Sequence, residues 1–178
     1  MVGGELFYLF IIVFALPFCI AFNFTEIMIE ALVGVVNEEL KRQVLELNIS
    51  RQVLYKNQVS RKESLRLMQS SQLLLLLLNN AKNVSGRIPG KVFEYFGAQR
   101  PILSLGPKGT DVENILIDSK VGENFGYDDA SQLKKFLLDR FELFCNSKIK
   151  FVDNRLYDYS HQQVSATFAL HLENITKK

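Results

Sequence analysis

Tryptophan is absent, and cysteine, histidine, methionine and proline are scarce, at 2, 2, 3 and 4 among 178 residues. Each shortage excludes something. Two cysteines cannot build the disulfide framework of a small secreted domain, and Cys19 and Cys145 have no metal-ligand spacing to each other, to His161 or to His171. Both read as buried thiols of a reducing compartment, and both histidines as solvated or satisfied side chains. A surplus of one charge is missing too: 21 basic and 19 acidic residues leave a formal +2 spread along the chain. That excludes the clustered basic face of a nucleic-acid binder and confines any anionic ligand to a local site. Internal repeats and low-complexity linkers are also lacking, and the sequons at Asn23, Asn48, Asn83 and Asn174 read as chance.

What is present is enough apolar material for one core, 48% hydrophobic over a length that suits about one domain. The chain divides into an apolar segment, 1–24, and a domain, 25–178. Leu6 to Phe22 is apolar throughout and interrupted only by Pro17. No basic residue precedes it and no small-x-small cleavage site follows, which excludes an ordinary secretory signal. At a rise of ~1.5 Å per residue it reaches the lower limit for crossing a hydrocarbon layer of ~30 Å. Two readings stay open: membrane contact through residues 6–22, or a buried strand or helix, including a non-native start.

From residue 29 onward, strand-like runs alternate with helix-like patterns, which predicts an α/β fold with a doubly wound parallel sheet, Rossmann-like. Ala31 to Val36 reads as a strand. Asn37 caps a helix with Glu38 and Glu39 in its first turn and Leu40, Val44 and Leu47 on its apolar face. Val53 to Val59 is a more polar strand nearer an edge, and Ser60 with Glu63 forms a capping box for a helix that turns Leu65 and Met68 inward. Leu73 to Leu78 suits a central strand buried on both faces. Pro101 to Leu105 is another. Thr110 with Glu113 caps a helix lined by Val112, Ile115 and Leu116. A short strand near Val121 to Tyr127 leads through Asp128 or Asp129 to a helix with Leu133, Phe136, Leu137, Phe141 and Phe144 on one side. An amphipathic segment from Ser160 to Ile175 closes the chain.

Between the leucine run and the next strand lies Ser85-Gly86-Arg87-Ile88-Pro89-Gly90-Lys91-Val92-Phe93-Glu94-Tyr95-Phe96, a polar loop that opens a helix. In open α/β sheets, ligands sit beyond the carboxyl ends of the strands, where such loops gather. Pro89-Gly90-Lys91 offers helix-terminal amides and an ammonium to an oxyanion, Gly90 lets a ligand approach the backbone, and Glu94 can accept from the two hydroxyls of a ribose. The plainer alternative is a solvated Lys91, a surface Glu94 and a loop-breaking glycine. Tyr95 and Phe96 read as core or crevice-lining aromatics. Ser85 and Ser104 have no visible base and are not nucleophiles.

The ordered set Val33-Gly34-Val35-Val36-Asn37-Glu38-Glu39, then Val59 to Ser71, the leucine run, Gly90 to Leu103 and Tyr159-Ser160 resembles the carboxyl-terminal, nucleotide-sugar-binding half of the GT-B glycosyltransferases. The likeness is to the family 4-like, or group 1, retaining enzymes that build bacterial polysaccharides, and it spans about five-sixths of the chain. It implies transfer of a sugar from a nucleotide-diphosphate donor to a polysaccharide or glycolipid acceptor, with no cofactor and no metal. Glu94 falls on the family's ribose-holding glutamate, and Pro89, Gly90 and Lys91 fall on the loop that meets the donor phosphates and sugar. The first glutamate of the family's Glu-x7-Glu motif is replaced by Gly86, followed by Arg87, as in a subset of these enzymes.

Two parts of the family pattern are missing. The acceptor-binding domain is absent, and the apolar segment stands where the first strand of the donor domain, with its basic pair, would be. Without half of the cleft, positioning and charge stabilisation are lost, so the chain alone is not expected to be a competent transferase. The partners implied are a nucleotide sugar and a separate acceptor-binding domain or chain, in the cytoplasm or at the inner face of a membrane. A different class also fits: a membrane-attached interaction module with the same fold and no catalysis. A receiver-like or flavodoxin-like domain would need clustered acidic residues at strand ends or a flavin phosphate loop, and the sequence has neither.

Overall fold

A computed structural model of the chain describes residues 9–14, 28–80, 85–146 and 159–176. In chain order the elements are β1 (Leu9–Phe14), β2 (Met28–Val33), α1 (Glu38–Glu46), β3 (Val53–Lys56), α2 (Arg61–Ser70), β4 (Leu73–Leu77), α3 (Lys91–Ala98), β5 (Ile102–Leu105), α4 (Asp111–Ser119), β6 (Gly122–Phe125), α5 (Ala130–Cys145) and α6 (His161–Thr176).

Local chemistry starts four of the helices. The side-chain oxygens of Asn37, Ser60, Thr110 and Ser160 accept from the amides of Leu40, Glu63, Glu113 and Gln163, at 2.8, 3.3, 3.2 and 3.2 Å. Each satisfies an amide that the first turn leaves without a carbonyl. The two expected capping boxes do not close in the reciprocal way. Glu63 turns to Lys56 at 3.1 Å, and Glu113 Oε2 accepts from the Gly109 amide at 2.6 Å, one residue ahead of its cap.

The strands form one sheet in the order β3-β2-β1-β4-β5-β6. β2 and β3 are parallel, as are β4, β5 and β6, and β1 joins the two blocks by running antiparallel to both β2 and β4. The parallel arrangement expected from residue 29 onward therefore holds for all five strands of that region, and the antiparallel β1 is added from the apolar segment. β1 and β2 are neighbours in sequence as well as in the sheet, and an antiparallel pair needs no crossover helix between its strands.

Side-chain alternation sends the strand residues to two faces. Leu74, Leu76, Leu78 and Ile102 meet Met68 of α2, Val92, Tyr95 and Phe96 of α3, and Val112 and Leu116 of α4. On the opposite face Leu73, Leu75, Leu103 and Phe125 meet Phe136 of α5, and Leu32 and Val53 meet Val44 of α1. Helices thus cover both faces of an α/β architecture compatible with a Rossmann-like fold.

Several expected boundaries shift. The first strand of the domain is Met28–Val33 rather than Ala31 to Val36, because Gly34 leaves extended geometry at φ 125°. β3 stops at Lys56, where it pairs with β2 alone and lies at the sheet edge. Leu47 is the C-cap of α1 and is 68% exposed, not part of its inner face. The leucine run is buried as far as Leu76, but Leu77 is 48% exposed at the carboxyl end of β4. α6 forms where the amphipathic segment predicts a helix, yet it buries none of its residues. Of the apolar segment, residues 9–14 are β1, and the rest of residues 1–24 lie outside the described residues. Among the described residues no helix is long and apolar enough to cross a membrane.

Candidate functional site

All five parallel strands end at the same edge of the sheet, and the loops that leave them lead to α1, α2, α3, α4 and α5. The helix amino-termini therefore gather there. The strand order turns back between β1 and β4: β2 and β3 lie to one side, β5 and β6 to the other. In open α/β sheets such a turning point is where ligands bind, beyond the carboxyl ends of the strands, and the loop from Leu78 to Gly90 starts beside it. Residues 81–84 of the loop lie outside the described residues.

α3 is placed by its buried face. Val92 and Tyr95 are fully buried and Phe96 nearly so, and the Tyr95 hydroxyl donates to the Leu75 carbonyl of β4 at 3.0 Å. Both aromatics expected to line the core or the crevice are core residues. Phe96 also meets Tyr159 edge-on, with ring centroids 5.3 Å apart, which ties the start of α6 to α3. With those positions turned inward, Lys91 and Glu94, one helical turn apart, share the outward side of the first turn.

The start of α3 differs from that of α1, α2, α4 and α6. Gly90 supplies no side-chain cap; instead its carbonyl accepts from the Phe93 and Glu94 amides at 3.1 and 3.4 Å, while the Pro89 carbonyl accepts from Val92 at 3.0 Å. Among the described residues the Gly90 amide makes no hydrogen bond. Burial lowers the pKa of the Lys91 ammonium, and the nearby Glu94 carboxylate opposes that shift. Glu94 itself is exposed, and its carboxylate makes no hydrogen bond among the described residues.

Gly86 and Arg87 are exposed in the loop, Pro89 is half-buried, and the six residues singled out from sequence thus lie in one continuous stretch at the carboxyl edge. The glycines are not demanded by the protein's own packing. A Cβ added at Gly86 or Gly90 would meet nothing within 4 Å, and neither has a positive φ. Among the described residues nothing requires them to be small.

Four further features hold this edge, and the sequence reading missed them. The Ser85 carbonyl accepts from the Asp111 amide at 2.9 Å, joining the loop to the start of α4. Asn124 Nδ2 donates to the Pro107 carbonyl at 3.2 Å. Lys108 and Asp129 form an ion pair at 2.6 Å between the β5–α4 and β6–α5 loops, and Asp129 also accepts from the Gly126 amide at 2.8 Å. The hydrogen bond and charge of Asp129 raise the Lys108 pKa, and Lys108 and the Gly126 amide lower that of Asp129. Lastly, the Tyr127 hydroxyl donates to the Leu78 carbonyl at 2.6 Å. All four join residues distant in sequence or in different loops, so no local pattern announces them; Gly106-Pro107-Lys108-Gly109 is the nearest to a signal, as a turn.

Neither histidine approaches this edge through any described contact, and both lie on α6. Ser104 is fully buried in β5. Among the described residues no group of three or more His, Cys, Asp or Glu is placed to hold a metal ion. What the edge offers chemically is the Lys91 ammonium, the Glu94 carboxylate one turn on and the Gly90 amide, a set suited to an oxyanion joined to a polyol. No protein-family model matches the chain, and no curated protein matches it either.

Proposed function

We propose that this chain is the donor-binding half of a glycosyltransferase of the GT-B kind, holding a nucleotide-diphosphate sugar at the carboxyl edge of its sheet. The observation that carries the reading is the placement of the Ser85–Glu94 stretch: it follows β4, beside the reversal of strand order, with Lys91 and Glu94 on one side of an uncapped first turn. The Gly90 amide and the Lys91 ammonium meet the diphosphate; the Glu94 carboxylate accepts from the ribose hydroxyls. The strand order β3-β2-β1-β4-β5-β6 supports the reading of a doubly wound sheet forming half of a GT-B fold, with the antiparallel β1 standing between the two parallel blocks.

Transfer needs more than donor binding. The reacting carbon must be held against an acceptor in a site that excludes water, and a second domain or chain has to supply that wall. What residues 28–176 carry in this reading is donor binding. The alternative of a membrane-attached module has less support, since residues 9–14 of its apolar segment are committed to the middle of the sheet.

Calorimetric titration of the full chain with uridine, guanosine and adenosine diphosphates tests the reading. At least one should bind, and Glu94→Ala should weaken it about 10-fold or more, the scale of a hydrogen-bonded charge lost from a binding site. No binding at millimolar ligand, with Glu94→Ala indistinguishable from wild type, would overturn it.

A further inference from the structure

Tyr127 is built in an unusual way. An amphipathic aromatic ordinarily buries its ring and keeps its polar tip in water. Here the hydroxyl is turned onto the Leu78 backbone carbonyl, while the residue as a whole is 59% exposed. What faces solvent is therefore mostly ring, and its one polar atom is already bonded.

The ring is also fixed from both ends. At the backbone end, the Gly126 amide donates to Asp129, whose carboxylate holds Lys108; at the other end the hydroxyl is bonded to Leu78. Tyr127 follows β6, and Leu78 follows β4, so the side chain spans the carboxyl end of β5 and stops where the Leu78–Gly90 loop begins. Leu77, the residue before its anchor, is itself half exposed. A flat, pre-ordered apolar surface thus lies at the start of the Leu78–Gly90 loop, on the same carboxyl edge as Lys91 and Glu94.

We propose that the Tyr127 ring is a stacking platform for the bound donor, receiving the flat face of one of its rings, nucleobase or pyranose. The inference rests on the donor-binding reading above and adds to it a specificity-determining residue on a different loop. Little ordering remains to be imposed when a ligand ring arrives, because the side chain is already held. Stacking on an aromatic tolerates any base, so Tyr127 favours ring-bearing ligands over inorganic diphosphate rather than one base over another.

The test is calorimetry on the full chain, wild type, Tyr127→Phe, Tyr127→Leu and Tyr127→Ala, each checked for an unchanged thermal transition. The probes are whichever nucleoside diphosphate binds wild type, the matching nucleotide sugar, and inorganic pyrophosphate. Tyr127→Phe keeps the ring and should bind within about 2-fold of wild type. Tyr127→Leu and Tyr127→Ala should weaken binding by about 5-fold or more, the fold-change that corresponds to the lower end of stacking energies, and leave pyrophosphate unaffected. Loss for the diphosphate and the nucleotide sugar alike places the base on the ring; loss for the nucleotide sugar alone places the pyranose there. Wild-type affinity in Tyr127→Leu or Tyr127→Ala would overturn the proposal, as would equal weakening in Tyr127→Phe, which would mark a purely structural tie. Failure of wild type to bind any nucleotide would instead strike at the donor-binding reading itself.

Discussion

Asp129 does two jobs with one carboxylate, since Oδ2 accepts from the Gly126 amide and from Lys108. The two can be separated. Asn at this position still presents an oxygen to Gly126 but no charge to Lys108, whereas Ala removes both. Asp129→Asn is therefore expected to melt slightly below wild type at neutral pH, and Asp129→Ala lower still. The folded carboxyl pKa lies below its ordinary value of 3.8, so the stability it contributes is present above that value and is lost as pH falls through the folded pKa. Thermal melts from pH 7 downward should show the gap between wild type and Asp129→Asn closing under acid; a gap of constant size would mean that the ion pair contributes nothing. Residues of this kind were the least legible in the sequence. Glu94, Lys91 and Gly90 stand in one short motif and could be singled out, but Asp129 read only as a possible helix start, and Tyr127 only as the end of a strand.

At the scale of elements, the strands approach one another most closely where side chains are missing. A Cβ at Gly106 would lie 2.5 Å from the Cβ of Leu78, and one at Gly122 would run into the Ile102 backbone carbonyl. Gly106→Ala and Gly122→Ala should each cost about 1–3 kcal/mol, the range for overfilled interiors, with Gly122 the worse because backbone cannot move aside as a side chain can. Gly90→Ala should leave stability close to wild type by the same denaturant titration, since that position has open space and a helical φ of −56°. A destabilised Gly90→Ala would contradict the open setting of the α3 start. Helix positions were readable because their causes are local: Asn37, Ser60, Thr110 and Ser160 each announce a first turn within four residues. Strand ends were not, because β3 stops where β2 stops pairing with it, and Leu77 is exposed while Leu78, on the opposite face, is buried, a difference set by what covers each face. The sequence likewise held no sign that α6 would bury nothing, since amphipathicity marks a face and not what lies against it.

For the whole molecule, β1 is the joint. Without it β2 and β4 would present bare central edges, and the block β3-β2 would share no ladder with β4-β5-β6. Deleting residues 1–14 should abolish the cooperative thermal transition and drive the chain into aggregates on gel filtration, through the unpaired edges. A deletion variant that melts like wild type would show that the sheet holds without its central strand. The sequence left membrane contact and a buried strand or helix both open for the apolar segment and counted a first strand of the sheet as missing. Residues 9–14 supply one, and neither its place nor its direction was legible, because both depend on what the neighbouring strands and connections permit rather than on the residues of the strand.

The register of β1 carries one more consequence. Leu9 pairs with Val33, so the strand begins at the edge where the Leu78–Gly90 loop begins and runs away from it. A bulky label coupled at Leu9 itself would therefore stand at the edge of the sheet that carries Lys91 and Glu94, and is the attachment most prone to obstruct a ligand there.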